Sequence, residues 1–207
     1  MGKFSDVLLT VDYDRTLTAP DSSIPERNLE AIRYFMENDG AFTVNTGRSV
    51  PMIQAFRDRV PVNAPLLLYN GSAAYDLAAG KLLFCHEIRL DLWQTVRECM
   101  TLFPDLTVEV QGLDAHYRFA ENPAWDAFSD HNQCAHGLAR PGDDLGPFLK
   151  FTLYGEFRDV TVASMFDGTP EEVRRMDDAE AQLKARFGAY CEVCLLYTSD
   201  AADDLTR

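Results

Sequence analysis

An apolar run that stops abruptly in acid constrains this chain more than any other stretch: Val7-Leu8-Leu9-Thr10-Val11 leads straight into Asp12-Tyr13-Asp14-Arg15-Thr16. A short run of aliphatic residues without polar alternation reads as a parallel-sheet strand buried on both faces. Strand side chains repeat every second residue, so Asp12 and Asp14 are expected to point the same way from its carboxyl end. Like charges held that close repel, and they are tolerated when a cation lies between them or one carboxyl is neutral. Hard oxygen donors of this kind suit Mg²⁺. The pattern therefore predicts metal-assisted phosphoryl transfer with an aspartate nucleophile. The plainer alternative is a solvated acidic turn after a strand.

The next sixty residues favour the first reading. Pro25 suits the first turn of a helix, and Leu29, Ile32, Phe35 and Met36 fall on one face of it. Gly40 is placed to end that helix in a left-handed cap. Ala41 to Asn45 reads as a second strand ending at Thr46-Gly47-Arg48, followed by a helix with Met52, Ile53 and Phe56 inward. Leu66 to Tyr69 makes a third strand, closed by Asn70-Gly71. Strands alternating with helices at this spacing imply a parallel α/β sheet with right-handed crossovers. Such sheets bind ligands at the carboxyl ends of their strands, where Asp12, Thr46 and Asn70 would all lie.

Beyond residue 71 the texture changes. Segments 72–76 and 81–86 flank a glycine-containing turn and read as a hairpin. A helix carrying Leu92, Val96, Cys99 and Phe103 follows, then strands near 106–111 and 115–119, a helix near 123–132, a strand at 148–154 and a polar helix at 170–187. Short strands and helices without strict alternation predict an α+β module, with a boundary near residue 80. The 207 residues carry a net charge of −14, which argues against nucleic acid as a partner because a phosphate backbone demands a basic face. The same charge means that an anionic substrate needs a local cation. No apolar run reaches membrane-spanning length and residues 1–5 carry no signal-like pattern, so the expectation is a cytoplasmic protein without a membrane partner. Its five cysteines (Cys85, Cys99, Cys134, Cys191, Cys194) lack a disulfide-framework spacing and are read as reduced thiols.

With three strand ends in hand, the chain resembles the haloacid dehalogenase-like superfamily, and within it the Cof-like phosphatases with a large α/β cap. Val11 to Leu17 matches the first motif, Val44 to Arg48 the second, and Asn70-Gly71 the step that leads into the cap. The resemblance implies a Rossmannoid parallel-sheet core, of which residues 1–80 are the N-terminal part, and an inserted cap over 81–193. It implies Asp12 as the nucleophile and Asp14 as the general acid, then base. Mg²⁺ would be held by the Asp12 carboxylate and the Asp14 backbone carbonyl. Thr46 and Gly47, with neighbouring backbone N–H groups, would hold the phosphoryl oxygens. Thr16 would orient the Asp12–Asp14 loop, and Asn70 and Gly71 would complete the binding edge. Arg48 would contact substrate phosphate or the cap, although an arginine at a helix start has a surface role as its simpler reading.

The family pattern also calls for a lysine and a late Gly-Asp…Asp run after the cap. Lys150 is the tempting lysine, but its place in mid-strand inside the cap makes a structural role the simpler one. Ser199-Asp200 and Asp203-Asp204 imitate the acidic run. However, CLLYTSDAADD from Cys194 resembles the frame translation of the transposon end and adapter used to prepare sequencing libraries, so residues 194–207 are read as a non-native tail. The resulting expectation is a Mg²⁺-dependent phosphomonoester hydrolase of small phosphorylated metabolites, present as an inactive N-terminal portion. A sugar-phosphate phosphatase or phosphomutase on the same fold is the enzymatic alternative. A non-catalytic phospholigand-binding module, which requires that Asp200 and Asp204 be native and that Lys150 never reach the site, is the alternative of another class. His131, Cys134 and His136, with the Cys191–Cys194 pair, have the ligand types of a zinc site, but zinc needs four convergent ligands and Cys194 falls in the suspect tail, so ordinary surface and core roles are the simpler reading.

Overall fold

The computed structural model describes residues 2–19, 21–55, 57–155 and 169–195. Two sheets organise them. The first has the order β1-β2-β3-β4-β5, built from Leu8–Asp12, Ala41–Asn45, Leu66–Leu68, Ala73–Asp76 and Lys81–Cys85. β1 runs parallel to β2, with Leu8 opposite Ala41 and Asp12 opposite Asn45, and β2 runs parallel to β3. β4 and β5 return antiparallel as the expected hairpin. β5 belongs to this sheet, which therefore runs through Cys85.

Helix α1, Glu26–Glu37, crosses from β1 to β2 and buries Ile32 against Phe42 and Val44 of the sheet, with Phe35 and Met36 packed at the margin. Its end differs from expectation. Asp39, not Gly40, takes the left-handed conformation (φ 66°). Gly40 is needed for space instead: a Cβ there would come within 2.4 Å of the Phe35 ring. The helix expected after Arg48 is a single tight turn, Pro51–Ala55, and Phe56 lies outside the described residues. β1 is not buried on both faces. Among the described residues it pairs only with β2, and Val7, Leu8 and Leu9 are exposed, Leu8 by 62%.

The second sheet has the order β8-β7-β6-β9, from His136–Leu138, His116–Arg118, Thr107–Gly112 and Phe148–Tyr154. β6 is antiparallel to both β7 and β9, while β8 is a short parallel addition that the sequence did not announce. One face of β6 carries Val108 and Val110. It packs on α2 (Leu92–Leu102) through Val96 and Cys99 and on α4 (Pro170–Phe187) through Leu183 and Phe187. The other face carries Glu109 and Gln111 and lies under α3, Pro123–His131, whose Trp125 is fully buried. Leu149 of β9 joins the core of the first sheet, so the second sheet is packed on the first.

Capping explains why these helices start where they do. Asp91 accepts from Gln94 N–H and Asn122 from Trp125 N–H, while Thr169 and Glu172 cap α4 reciprocally with Pro170 at its first turn. Burial pushes the Cys99 thiol up to about 11 and the Cys134 thiol up to about 12. Arg186 of α4 grips Glu98 of α2 through two hydrogen bonds of 2.9 Å. Those bonds, with one from Gln94, hold the Glu98 carboxyl down at about 2 from its usual 4.5. A depressed carboxylate stabilises the fold above its unfolded pKa, and this contribution fades as pH falls from about 4.5 through about 2. Glu98→Gln should therefore lower the thermal midpoint slightly at neutral pH, as befits an exposed ion pair. The gap from wild type should close on acidification, and a gap independent of pH would contradict the assignment.

Candidate active site

Three strand ends and the turns behind them build the site. Asp12 is the last residue of β1, with extended backbone (φ −67°, ψ 151°). Asp14 lies beyond the strand, in a wound turn over Tyr13–Leu17 where Arg15 is left-handed (φ 62°). Strand alternation therefore does not set the direction of Asp14, contrary to the sequence argument. The turn is tied by Thr18, whose N–H and hydroxyl both donate to Tyr13 O (3.0 and 3.2 Å) and whose Oγ1 accepts from Arg15 N–H at 3.1 Å. Thr16, expected to orient this loop, is exposed, and the buried Thr18 carries those bonds instead.

The second motif folds over the acidic turn. Thr46 N–H donates to Leu67 O, Asn70 N–H to Thr46 O and Tyr69 N–H to Arg48 O, each near 3.0 Å, so the turn after β2 is laced to the turn after β3. Tyr69, Asn70 and Gly71 are all left-handed (φ 52°, 56° and 90°), which makes room for that lacing. Thr46 Oγ1 accepts from Arg48 N–H at 3.1 Å. At Gly47 a Cβ would lie 2.6 Å from Asn70 Oδ1, so a side chain there would push the two turns apart.

Arg48 is buried, not a surface residue. Its Nε and Nη2 donate to the two oxygens of Asp14 at 3.0 and 2.9 Å, and its guanidinium lies over the Tyr13 ring, 5.0 Å from the centroid. The planar fork matches a carboxylate in two-point contact. Nη1 of the same guanidinium is buried and makes no hydrogen bond among the described residues. Lys150 stands mid-strand in β9 as the sequence predicted, yet it reaches the site, with Nζ donating to Gly47 O at 3.2 Å. Burial pulls its pKa down, and the charges of Glu109 and Asp14 act against that pull. Of the two conditions attached to the non-catalytic reading, the one that Lys150 stay away is not met, and the other concerns Asp200 and Asp204, outside the described residues.

The structure thus gathers Asp12, Asp14, Thr46, Gly47, Arg48 and Asn70 at one sheet edge and adds Lys150 from the second sheet. Sequence alone could not find that approach, because 103 residues separate Lys150 from Gly47. Among the described residues no three His, Cys, Asp or Glu side chains form a group that could hold a metal ion. The proposed acidic run at Asp200, Asp203 and Asp204 lies outside the described residues. No helix of the described chain is long and apolar enough to cross a membrane.

A parallel α/β sheet with an acidic turn after its first strand, a Thr-Gly-Arg turn after its second and an inserted second sheet defines a capped hydrolase of the Rossmannoid type. The chain belongs to the haloacid dehalogenase-like hydrolases: the family profile matches residues 9–143. It is similar in fold to a haloacid dehalogenase-like hydrolase from Bacteroides thetaiotaomicron (TM-score 0.69, 17% identity, covering 94% of this chain and 68% of that one). A haloacid dehalogenase-like hydrolase from B. subtilis is also similar (TM-score 0.60, 13% identity, 87% and 66%). So is a subclass IIB sugar phosphatase (TM-score 0.52, 14% identity, 64% and 52%). The chain thus spans roughly half to two thirds of the length of these relatives. No curated protein sequence matches it.

Proposed function

We propose that the protein carrying this chain is a Mg²⁺-dependent hydrolase of small phosphate monoesters, working through an aspartyl-phosphate on Asp12. The observation that carries the reading is the junction of the acidic turn and the Thr46–Arg48 turn through the two-point Arg48–Asp14 pair. The donors on hand fit the metal: a carboxylate at Asp12 and a main-chain carbonyl at Asp14 are hard oxygens, and Mg²⁺ fills its remaining positions with water and substrate. When bound, the ion supplies charge neutralisation between nucleophile and phosphate.

The residues of the chain divide the work. Once the incoming phosphate has drawn Arg48 away, Asp14 takes up a proton from water; an Asp12 oxygen then attacks phosphorus and the bond to the leaving alkoxide breaks, while Asp14 gives that alkoxide the proton. Asp14, now a carboxylate, takes a proton from water as the water oxygen attacks phosphorus. The bond to Asp12 then breaks and inorganic phosphate leaves. An incoming phosphate competes with Asp14 for Arg48, since both present oxygens to the same planar fork. Thr46 and the backbone of the Gly47 turn steady the equatorial oxygens, and Lys150 adds positive charge from the cap side.

A sugar phosphate is the favoured kind of substrate, supported by a structural relative that is a sugar phosphatase. The chain by itself is expected to turn over little, because its first strand keeps an exposed apolar flank. The test is beryllium trifluoride with the full-length protein, read by ¹⁹F NMR. A Mg²⁺-dependent adduct that disappears in Asp12→Asn is expected. Phosphoester binding with no such adduct would leave only a ligand-binding module.

A further inference from the structure

The cap touches the phosphate-binding turn through a buried chain of polar groups that the reaction does not use. His116 Nε2 of β7 lies 2.7 Å from Ser49 Oγ, and its Nδ1 lies 3.5 Å from Glu109 Oε1. Ser49 and Glu109 have no exposed surface, and His116 is 2% exposed. Serine, histidine and glutamate in that order are the residue types of a nucleophilic triad, but a serine with no accessible surface cannot meet a substrate. The chain has another use.

Ser49 follows directly on Arg48, the residue that grips Asp14. Three further bonds fasten the same turn to the same cap sheet: Tyr69 OH accepts from Val50 N–H (3.1 Å) and donates to Gly112 O (2.7 Å), and Lys150 donates to Gly47 O. On the cap side the anchor is rigid. Glu109 accepts from Gln111 Nε2 at 2.6 Å, Trp125 Nε1 at 2.7 Å and Tyr154 OH at 3.1 Å, which leaves its carboxylate little freedom to swing. Nδ1 of His116 faces Glu109, Nε2 shares a hydrogen bond with the Ser49 hydroxyl, and the Ser49 oxygen accepts from Met52 N–H at 3.4 Å. Each buried polar group in this chain has a reason to stay, since breaking one bond strands both its partners.

We propose that Glu109, His116 and Ser49 form a positioning relay by which the docked cap sets the turn that carries Thr46 and Arg48. Cap closure is thereby coupled to the grip of Arg48 on Asp14. The role of this grip in phosphoryl transfer rests on the reading above, but the coupling itself does not depend on it. His116 and Ser49 are positioning residues: neither reaches the site, and both act through Arg48.

The test needs no metal, substrate or turnover, so it stands or falls separately from the phosphatase reading. In the 207-residue chain, ¹H–¹⁵N NMR follows two side-chain signals: Arg48 Nε–H, bonded to Asp14, and Trp125 Nε1–H, bonded to Glu109. Ser49→Ala removes one oxygen and leaves the cap cluster standing. It should speed exchange of Arg48 Nε–H by about tenfold, the scale of one lost hydrogen bond, with Trp125 Nε1–H unchanged. His116→Ala should do the same, and His116→Gln, which keeps a polar group near the Nε2 position, should restore most of the protection. If His116→Ala also loses the Trp125 signal, Ser49→Ala decides. Exchange of Arg48 Nε–H within about twofold of wild type in Ser49→Ala would overturn the relay.

Discussion

Asp12→Asn should abolish phosphate release from p-nitrophenyl phosphate by the full-length protein, lowering kcat by about 10⁴-fold or more, the scale on which removal of a covalent nucleophile is felt. The amide is nearly the same size as the carboxylate, and Asp12 ends a strand whose register with Asn45 is set by backbone bonds, so the fold should survive. What disappears is the anionic oxygen that bonds to phosphorus, and with it one of the two oxygen donors expected to face Mg²⁺. Wild-type and variant thermal midpoints should agree within a few degrees, a shift worth about 1 kcal/mol or less. Turnover that persists unchanged in the variant would remove Asp12 from the role of nucleophile. Some other group would then have to be sought at the strand ends.

Glu109→Ala is expected to have the largest effect on stability, about 3–5 kcal/mol, read by urea unfolding with Trp125 fluorescence as the probe. Glu109 is a charge with no exposed surface in the middle of β6. Burial pushes its carboxyl up, but the charge of His116 and hydrogen bonds from His116, Gln111 and Trp125 more than offset this, so it stays ionised below the usual carboxylate range. Removing it strands three donors at once and leaves the histidine facing a cavity. Glu109→Gln keeps the volume and should cost less, because an amide oxygen can still accept from Trp125. A loss below about 1 kcal/mol for the alanine variant would mean that the cluster carries little of the cap's stability.

These two residues mark what could and could not be read from the amino-acid order. The place of Asp12 at the end of β1 was legible, because an apolar strand ending in acid is a local pattern. The bounds of α4 were equally legible from Thr169, Pro170 and Glu172, since capping chemistry is local. Glu109 was hidden. In the stretch Val108-Glu109-Val110-Gln111 the alternation suggests a polar face turned to water. That face is covered by α3 and by the turn after β2, elements no local pattern connects to it. The burial of Arg48 was missed for the same reason, as its partner Asp14 lies 34 residues away. The exposed flank of β1 shows the opposite failure: hydrophobicity predicts that a strand should be covered, but it cannot say which neighbour covers it.

The silent thiols of the cap have a practical consequence. Cys134 is 5% exposed, and its proton is held to about pH 12, so a reagent that needs both access and a thiolate finds neither while α3 is in place. Alkylation of that sulfur can proceed only in the moments when the cap comes apart. The protein carries its own stopwatch, and counting the molecules alkylated at Cys134, apart from the more accessible Cys85, Cys191 and Cys194, would clock cap opening.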